Sequence, residues 1–149
     1  MLSLHADELR ATLVATALEW ERRFGVAPAI TSTLSEYDAA RLVGHTDGTF
    51  SAACVGRTAV TRGSDFVYAG LRYQIKACRP SGKPGSAITM VPKATNYEWD
   101  RLIWVLYDRH YALQEAWQWN VDAYRTAFDH VKRISPAMMR AGRALHAPA

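Results

Sequence analysis

One carboxylate, one amide and one ammonium are spaced in this sequence so that two short strands would bring them together. Phe66 to Ala69 and Arg72 to Arg79 alternate with the two-residue period of strands and flank Gly70-Leu71. A glycine at the first central position of a two-residue loop suits a type II′ hairpin turn. Pairing Ala69 with Arg72 across that turn sets Asp65 opposite Lys76 and Val67 opposite Gln74. Gln74 and Lys76, two apart on one strand, then share a face, while Tyr73, Ile75 and Ala77 point the other way into core. The Asp65 carboxylate, the Gln74 amide oxygen and the Ile75 carbonyl between them are hard oxygen ligands of the kind Mg²⁺ takes, with water and a phosphate completing its shell. Lys76 beside them would stabilise developing negative charge or help deprotonate a metal-bound water. The chemistry implied is metal-assisted hydrolysis of a phosphate ester. The plainer alternative is a cross-strand ion pair between Asp65 and Lys76, worth under about 1 kcal/mol.

Gly63-Ser64-Asp65-Phe66-Val67-Tyr68-Ala69-Gly70, followed by Tyr73-Gln74-Ile75-Lys76, resembles the signature of the restriction-endonuclease-like, PD-(D/E)xK superfamily of nucleases. A preceding helix and a later strand pair come in the order that superfamily uses, so the resemblance covers most of the chain. It departs from the pattern at Ser64, where the signature has proline, and at Gln74, where it has an acid. The glutamine removes one negative charge from the metal site, and such a variant does occur among active restriction enzymes. What the resemblance implies is a Mg²⁺-dependent DNA endonuclease, with Mn²⁺ able to substitute, whose catalytic residues are Asp65, Gln74 and Lys76 and whose metal ligands are Asp65, Gln74 and Ile75. It also implies an acid on the first helix. At about 100° per residue, Glu21 falls inside the arc of Val14, Ala17 and Leu18, whereas Glu19 lies on the far side near Arg23, so Glu21 is the choice and Glu19 the fallback. An inward acid needs a partner, which a metal, Lys76 or simply an arginine would supply. The alternative is a nuclease-shaped module without catalysis that binds nucleic acid or a partner protein. Cutting both strands of a duplex is simplest for a two-fold homodimer.

The formal charge of +4 is unevenly placed. Between residues 57 and 93, seven basic residues face Asp65 alone, and Lys132, Arg133, Arg140 and Arg143 close the chain without an acid. That is a local footprint for a polyanion or, equally, a solvated basic face. The loop leaving the proposed site offers Arg79, Lys83, Ser86 and, further on, Lys93 as DNA contacts. Arg79 to Ser86 lacks the G-x-x-x-x-G-K-[ST] spacing, so no nucleotide cofactor is expected. The five histidines have no metal spacing.

The elements that must position these groups follow from periodicity. Ser3 would cap a helix with Asp7 and Glu8 in its first turn and an apolar stripe of Leu9, Leu13, Ala17, Trp20 and Phe24, closed by Gly25. A short helix is expected from Ser35 to Gly44, a short strand over Ala87 to Val91 and a helical turn over Asn96 to Asp100. Leu102 to Asp108 reads as a central strand covered on both faces and Tyr111 to Trp119 as its neighbour. A helix follows from Asp122, and Ser135-Pro136 opens a last basic helical tail to about His146. The fold class expected is α/β, a single domain over 1–149 with a mixed central sheet and flanking helices, restriction-endonuclease-like. With 149 residues, 49% of them hydrophobic, the chain suffices for one core. No apolar run approaches the roughly 18 residues of a membrane span. Acids near the N-terminus and two cysteines outside any metal spacing lead to the expectation of a cytoplasmic protein.

Overall fold

The computed structural model describes residues 5–55, 57 and 63–148. Three helices come first: α1 (Ala6–Phe24), α2 (Thr31–Val43) and α3 (Asp47–Val55). They are followed by β1 (Phe66–Tyr68), β2 (Leu71–Cys78), β3 (Arg101–Tyr107), β4 (Leu113–Asn120), α4 (Val121–Phe128), α5 (Pro136–Met139) and β5 (Arg143–His146). The five strands form one mixed sheet in the order of the chain, with β2 and β3 parallel and every other pair antiparallel. The α/β class and mixed sheet are as expected from the sequence. No described helix is long and apolar enough to cross a membrane.

The parallel β2–β3 pair requires a crossover, and residues 79–100 supply it as an irregular segment. The strand expected over Ala87 to Val91 reduces to a single bridge between Val91 and Ile134. The helical turn expected at Asn96 to Asp100 is instead a bend pinned by the Asn96 side chain, which accepts from the Glu98 N–H at 2.9 Å. This connection and α4 cover one face of the sheet, where Trp99, Leu102, Trp104, Tyr124, Phe128 and Met139 are buried together. Helices α1 and α2 cover the other, over Tyr73, Ile75, Ile103, Val105 and Tyr107. Strand β3 is therefore buried on both faces, the environment its continuous apolar run demands.

On α1 the buried stripe differs from the expected one. Leu9, Trp20 and Phe24 stand 57%, 53% and 64% exposed, whereas Leu13, Val14, Ala17 and Leu18 meet the core. Arg10 and Glu21 continue the same i, i+3, i+4, i+7 stripe at its two ends, and ion pairs fix both. Arg10 makes a two-pronged contact to Asp38 on α2 at 2.8 and 2.7 Å and reaches the Tyr111 carbonyl, while the Tyr107 hydroxyl donates to the same carboxylate. These anchors turn the helix about its axis relative to a purely apolar count. Gly25, with φ at 83°, closes α1 in the left-handed region as its sequence predicts. Ser3 lies outside the described residues.

At the C-terminal end Ser135 does cap a helix with Pro136 at its first position, accepting from the Met138 N–H at 3.2 Å. That helix lasts only from Pro136 to Met139, and Arg143–His146 pairs with β4 as an edge strand in place of the expected basic helical tail. The β4 edge offers unpaired backbone groups, and the tail fills them.

Candidate functional site

The hairpin forms, but its turn sits one residue earlier than expected. Phe66 pairs with Tyr73, Val67 with Arg72 and Tyr68 with Leu71, leaving Ala69-Gly70 as the two-residue loop. Both residues have positive φ, 49° and 78°, which is the backbone of a type I′ turn and not the type II′ expected. Moving the turn by one residue slips the register by two, so Asp65 lies across from Gln74 and not from Lys76. A two-residue slip preserves which face each side chain takes, so Gln74 and Lys76 still share one.

Strand β1 is only three residues long, and this creates the site. The Asp65 N–H still donates to the Tyr73 carbonyl at 2.7 Å, but beyond it the ladder toward β1 is continued by a side chain. Asp65 Oδ2 accepts from the Ile75 N–H at 2.7 Å and from Gln74 Nε2 at 3.0 Å. Because a strand residue turns its N–H and C=O to the same side, the Ile75 carbonyl also points toward Asp65. Lys76, half-buried on the Gln74 face, makes no hydrogen bond or ion pair with a described residue.

The acid that meets Asp65 is Glu36, on α2. Its carboxyl is within hydrogen-bonding reach of the Asp65 carboxylate, and it is pushed up to about 7, first by burial and then by that neighbouring negative charge. Arg57, 3.7 Å away, opposes the rise. Glu36 lies one turn before the buried Ala39 and Ala40, an inward position. The sequence signal was present in the stripe Glu36, Ala39, Ala40, Val43, but starting the helix at Ser35 placed Glu36 in its first turn, where an acid is explained by the helix dipole alone. The helix in fact starts at Thr31 and buries Ser35.

Glu21, chosen from the sequence for that role, is elsewhere. It does face inward, and its partner is Arg79, held by two bonds of 3.0 Å. Arg79 is five residues beyond Gln74 on an extended chain, or about 16 Å along it. The arginine holds the Glu21 carboxyl below the usual carboxylate range. Glu19, the fallback, is on the outer face with Arg22 and Arg23.

The residues proposed to touch DNA fare unevenly. Arg79 is committed: its side chain is 7% exposed, bonded to Glu21 and to the Arg109 carbonyl, and stacked 4.2 Å above the Tyr111 ring. The Lys93 ammonium caps the end of α4 by donating to the carbonyls of Asp129 and Val131 at 3.0 and 2.9 Å. Lys83 is exposed and reaches the Gly25 carbonyl at 3.4 Å, and Ser86 is half-buried in the same turn. Of the four, Lys83 alone keeps an ammonium open to solvent.

The site's donors suit a hard cation in kind. Two carboxylates share one location, with Glu36 driven toward its neutral form by burial and by the Asp65 charge, and a divalent ion would relieve that repulsion. Gln74 now turns its amide nitrogen to Asp65, and a half-turn of the amide would present its oxygen. No group of three His, Cys, Asp or Glu side chains gathers among the described residues, so the amide, the Ile75 carbonyl and water would complete the shell. No protein-family model matches the chain, and no curated protein is found to be similar to it.

Proposed function

We propose that this chain is a Mg²⁺-dependent DNA endonuclease of the restriction-endonuclease-like type, with Asp65, Glu36, Gln74 and Lys76 at its centre. The observation that carries this reading is the meeting of Glu36 and Asp65 beside Gln74, two residues from Lys76. Asp65 and Glu36 would hold the ion, with Gln74 and the Ile75 carbonyl as further oxygen ligands. Bound there, Mg²⁺ or Mn²⁺ supplies a Lewis acid and lowers the pKa of a coordinated water. The reaction adds a water oxygen to phosphorus, breaks one P–O bond to the sugar and delivers a proton to the departing oxygen. Lys76 opposes the negative charge that builds on the phosphate oxygens or assists deprotonation of the attacking water. Lys83 is the remaining loop contact for the DNA backbone. The apolar side chains that α1 leaves exposed, Leu9, Trp20 and Phe24, offer surface for a homodimer. The free thiols of Cys54 and Cys78 suit a reducing cytoplasm.

A second reading is favoured by the present orientation of Gln74, whose nitrogen and not its oxygen meets Asp65. A nuclease-shaped module that has lost catalysis would keep that bond and bind nucleic acid or a partner protein without cutting. Supercoiled plasmid incubated with Mg²⁺, Mn²⁺ or EDTA separates the two. Metal-dependent nicking lost in Asp65→Asn supports the nuclease. DNA binding with a salt slope and no cutting supports the module.

A further inference from the structure

At the end of the sheet where β3 and β5 begin and β4 ends, an open cleft of about 370 Å³ is lined by Arg101, Gln118, Trp119, Asn120, Ala123 and Arg143. Arg101 pairs with Asn120 and Gln118 with Arg143, so these four side chains fall on one face of the sheet. No acidic side chain lines the cleft; Asp122, in the first turn of α4, is exposed outside it.

Two observations point to an anionic ligand. Gln118 is only 9% exposed, yet its amide makes no hydrogen bond with a described residue. Among the described residues no buried side-chain nitrogen or oxygen is sealed away without a partner, and Gln118 is one of the residues that line the cleft. The two guanidiniums are also under-used. Arg101 gives one N–H to the Tyr73 hydroxyl at 3.2 Å, and Arg143 gives none to a described side chain. The first turn of α4 ends against the same cleft, with Asn120 accepting from the Ala123 N–H at 2.8 Å.

We propose that this cleft binds a tetrahedral phosphate oxyanion. Two planar guanidinium forks and an amide donor around one opening match the several oxygens of a phosphate better than the two of a carboxylate. The cleft is open enough to leave room for whatever the phosphate is attached to. Arg101 is the cross-strand neighbour of Tyr73, whose carbonyl accepts the Asp65 N–H, so the cleft begins two strands, about 10 Å, from Asp65. Binding here does not depend on the nuclease reading.

The test is calorimetric titration of the whole chain with inorganic phosphate and with a short single-stranded oligonucleotide carrying or lacking a 5′-phosphate. Wild type is expected to bind at least one probe saturably. Arg101→Gln and Arg143→Gln are each expected to weaken that binding about tenfold, the loss of one charge-assisted contact. Arg143 is exposed on an edge strand, so its variant folds even if Arg101→Gln does not. Preference for the phosphorylated oligonucleotide identifies a terminal phosphate, indifference to it a backbone phosphodiester, and binding of inorganic phosphate alone a free anion. Failure of every probe to bind, or binding that Arg143→Gln leaves unchanged, overturns the proposal.

Discussion

Glu36 on α2 and Asp65 at the entry to β1 bring two carboxyls into hydrogen-bonding reach, so that ionising Glu36 places a second negative charge beside the first. Burial and the Asp65 charge push Glu36 from its ordinary 4.5 up to about 7. A carboxyl raised in the folded state contributes stability that is complete below its unfolded value and is lost as pH rises through the folded one. The metal-free protein should therefore lose stability between about pH 4.5 and pH 7 through this group. Glu36→Gln removes the loss. In EDTA the variant should be more stable than wild type at about pH 8, by on the order of 1–2 kcal/mol for a partly exposed pair, and no more stable at about pH 5. Urea denaturation across that range is the measurement, and parallel pH dependences for the two proteins would count against shared charge.

On the nuclease reading, Asp65→Asn and Lys76→Met should each reduce plasmid nicking by about a hundredfold or more, the scale of losing one group that stabilises transition-state charge. Gln74→Glu is the more informative change. It restores an acid on the strand opposite Asp65 and should lower the Mg²⁺ concentration needed for half-maximal cutting, with the chain still folded as judged by circular dichroism. An increase in that concentration would mean that the Gln74–Asp65 hydrogen bond matters more than the added charge.

The parts of the fold that read directly from sequence are those where one local signal met no competitor. The apolar run of β3, Gly25 ending α1 and Ser135-Pro136 opening α5 each rest on a backbone or burial requirement that few residue types meet. The misses share a cause, in that a long-range partner decided the outcome. Arg79, 58 positions away in sequence, claims Glu21. Asp38 holds Arg10 and with it the rotation of α1. The edge of β4 recruits Arg143 to His146 into a strand that their composition does not announce. At the site itself Asp65, Gln74 and the shared face of Lys76 were legible, because side-chain alternation survives a two-residue slip. Glu36 was missed for the opposite reason, since helix boundaries carry no such parity.

The Glu21–Arg79 pair should behave as structure and not as catalysis. Arg79 is nearly enclosed, and removing its acid leaves a guanidinium stacked on Tyr111 with only the Arg109 carbonyl to accept from it. Glu21→Gln should cost about 2–4 kcal/mol at neutral pH. Because Arg79 holds the Glu21 carboxyl below its ordinary 4.5, the pair's contribution is present above that value and fades as pH falls through the lowered one. The gap between wild type and variant should thus narrow below about pH 4.5. Any metal-dependent cutting should persist in the variant at 25 °C. Loss of cutting with stability intact would return Glu21 to the active centre.

The hairpin turn offers a gain in stability. Ala69 sits at φ 49° beside Gly70 at 78°, and a two-residue type I′ loop favours asparagine at the first position and glycine at the second. Alanine has no side-chain amide to ease the left-handed backbone, and its Cβ makes that conformation unfavourable. Ala69 is exposed, so a larger side chain meets no core. Ala69→Asn should therefore stabilise the protein by about 0.5–1 kcal/mol, with the register of Phe66 on Tyr73 unchanged. The paired change Gly70→Ala should destabilise by a similar or larger amount, since it puts a Cβ where glycine alone is unstrained. Denaturant midpoints of the two variants at constant slope check both signs. A destabilised Ala69→Asn would mean that the turn does not hold both residues in the left-handed region in solution, and the register that places Asp65 across from Gln74 would need to be re-determined by cross-strand nuclear Overhauser effects between Phe66 and Tyr73.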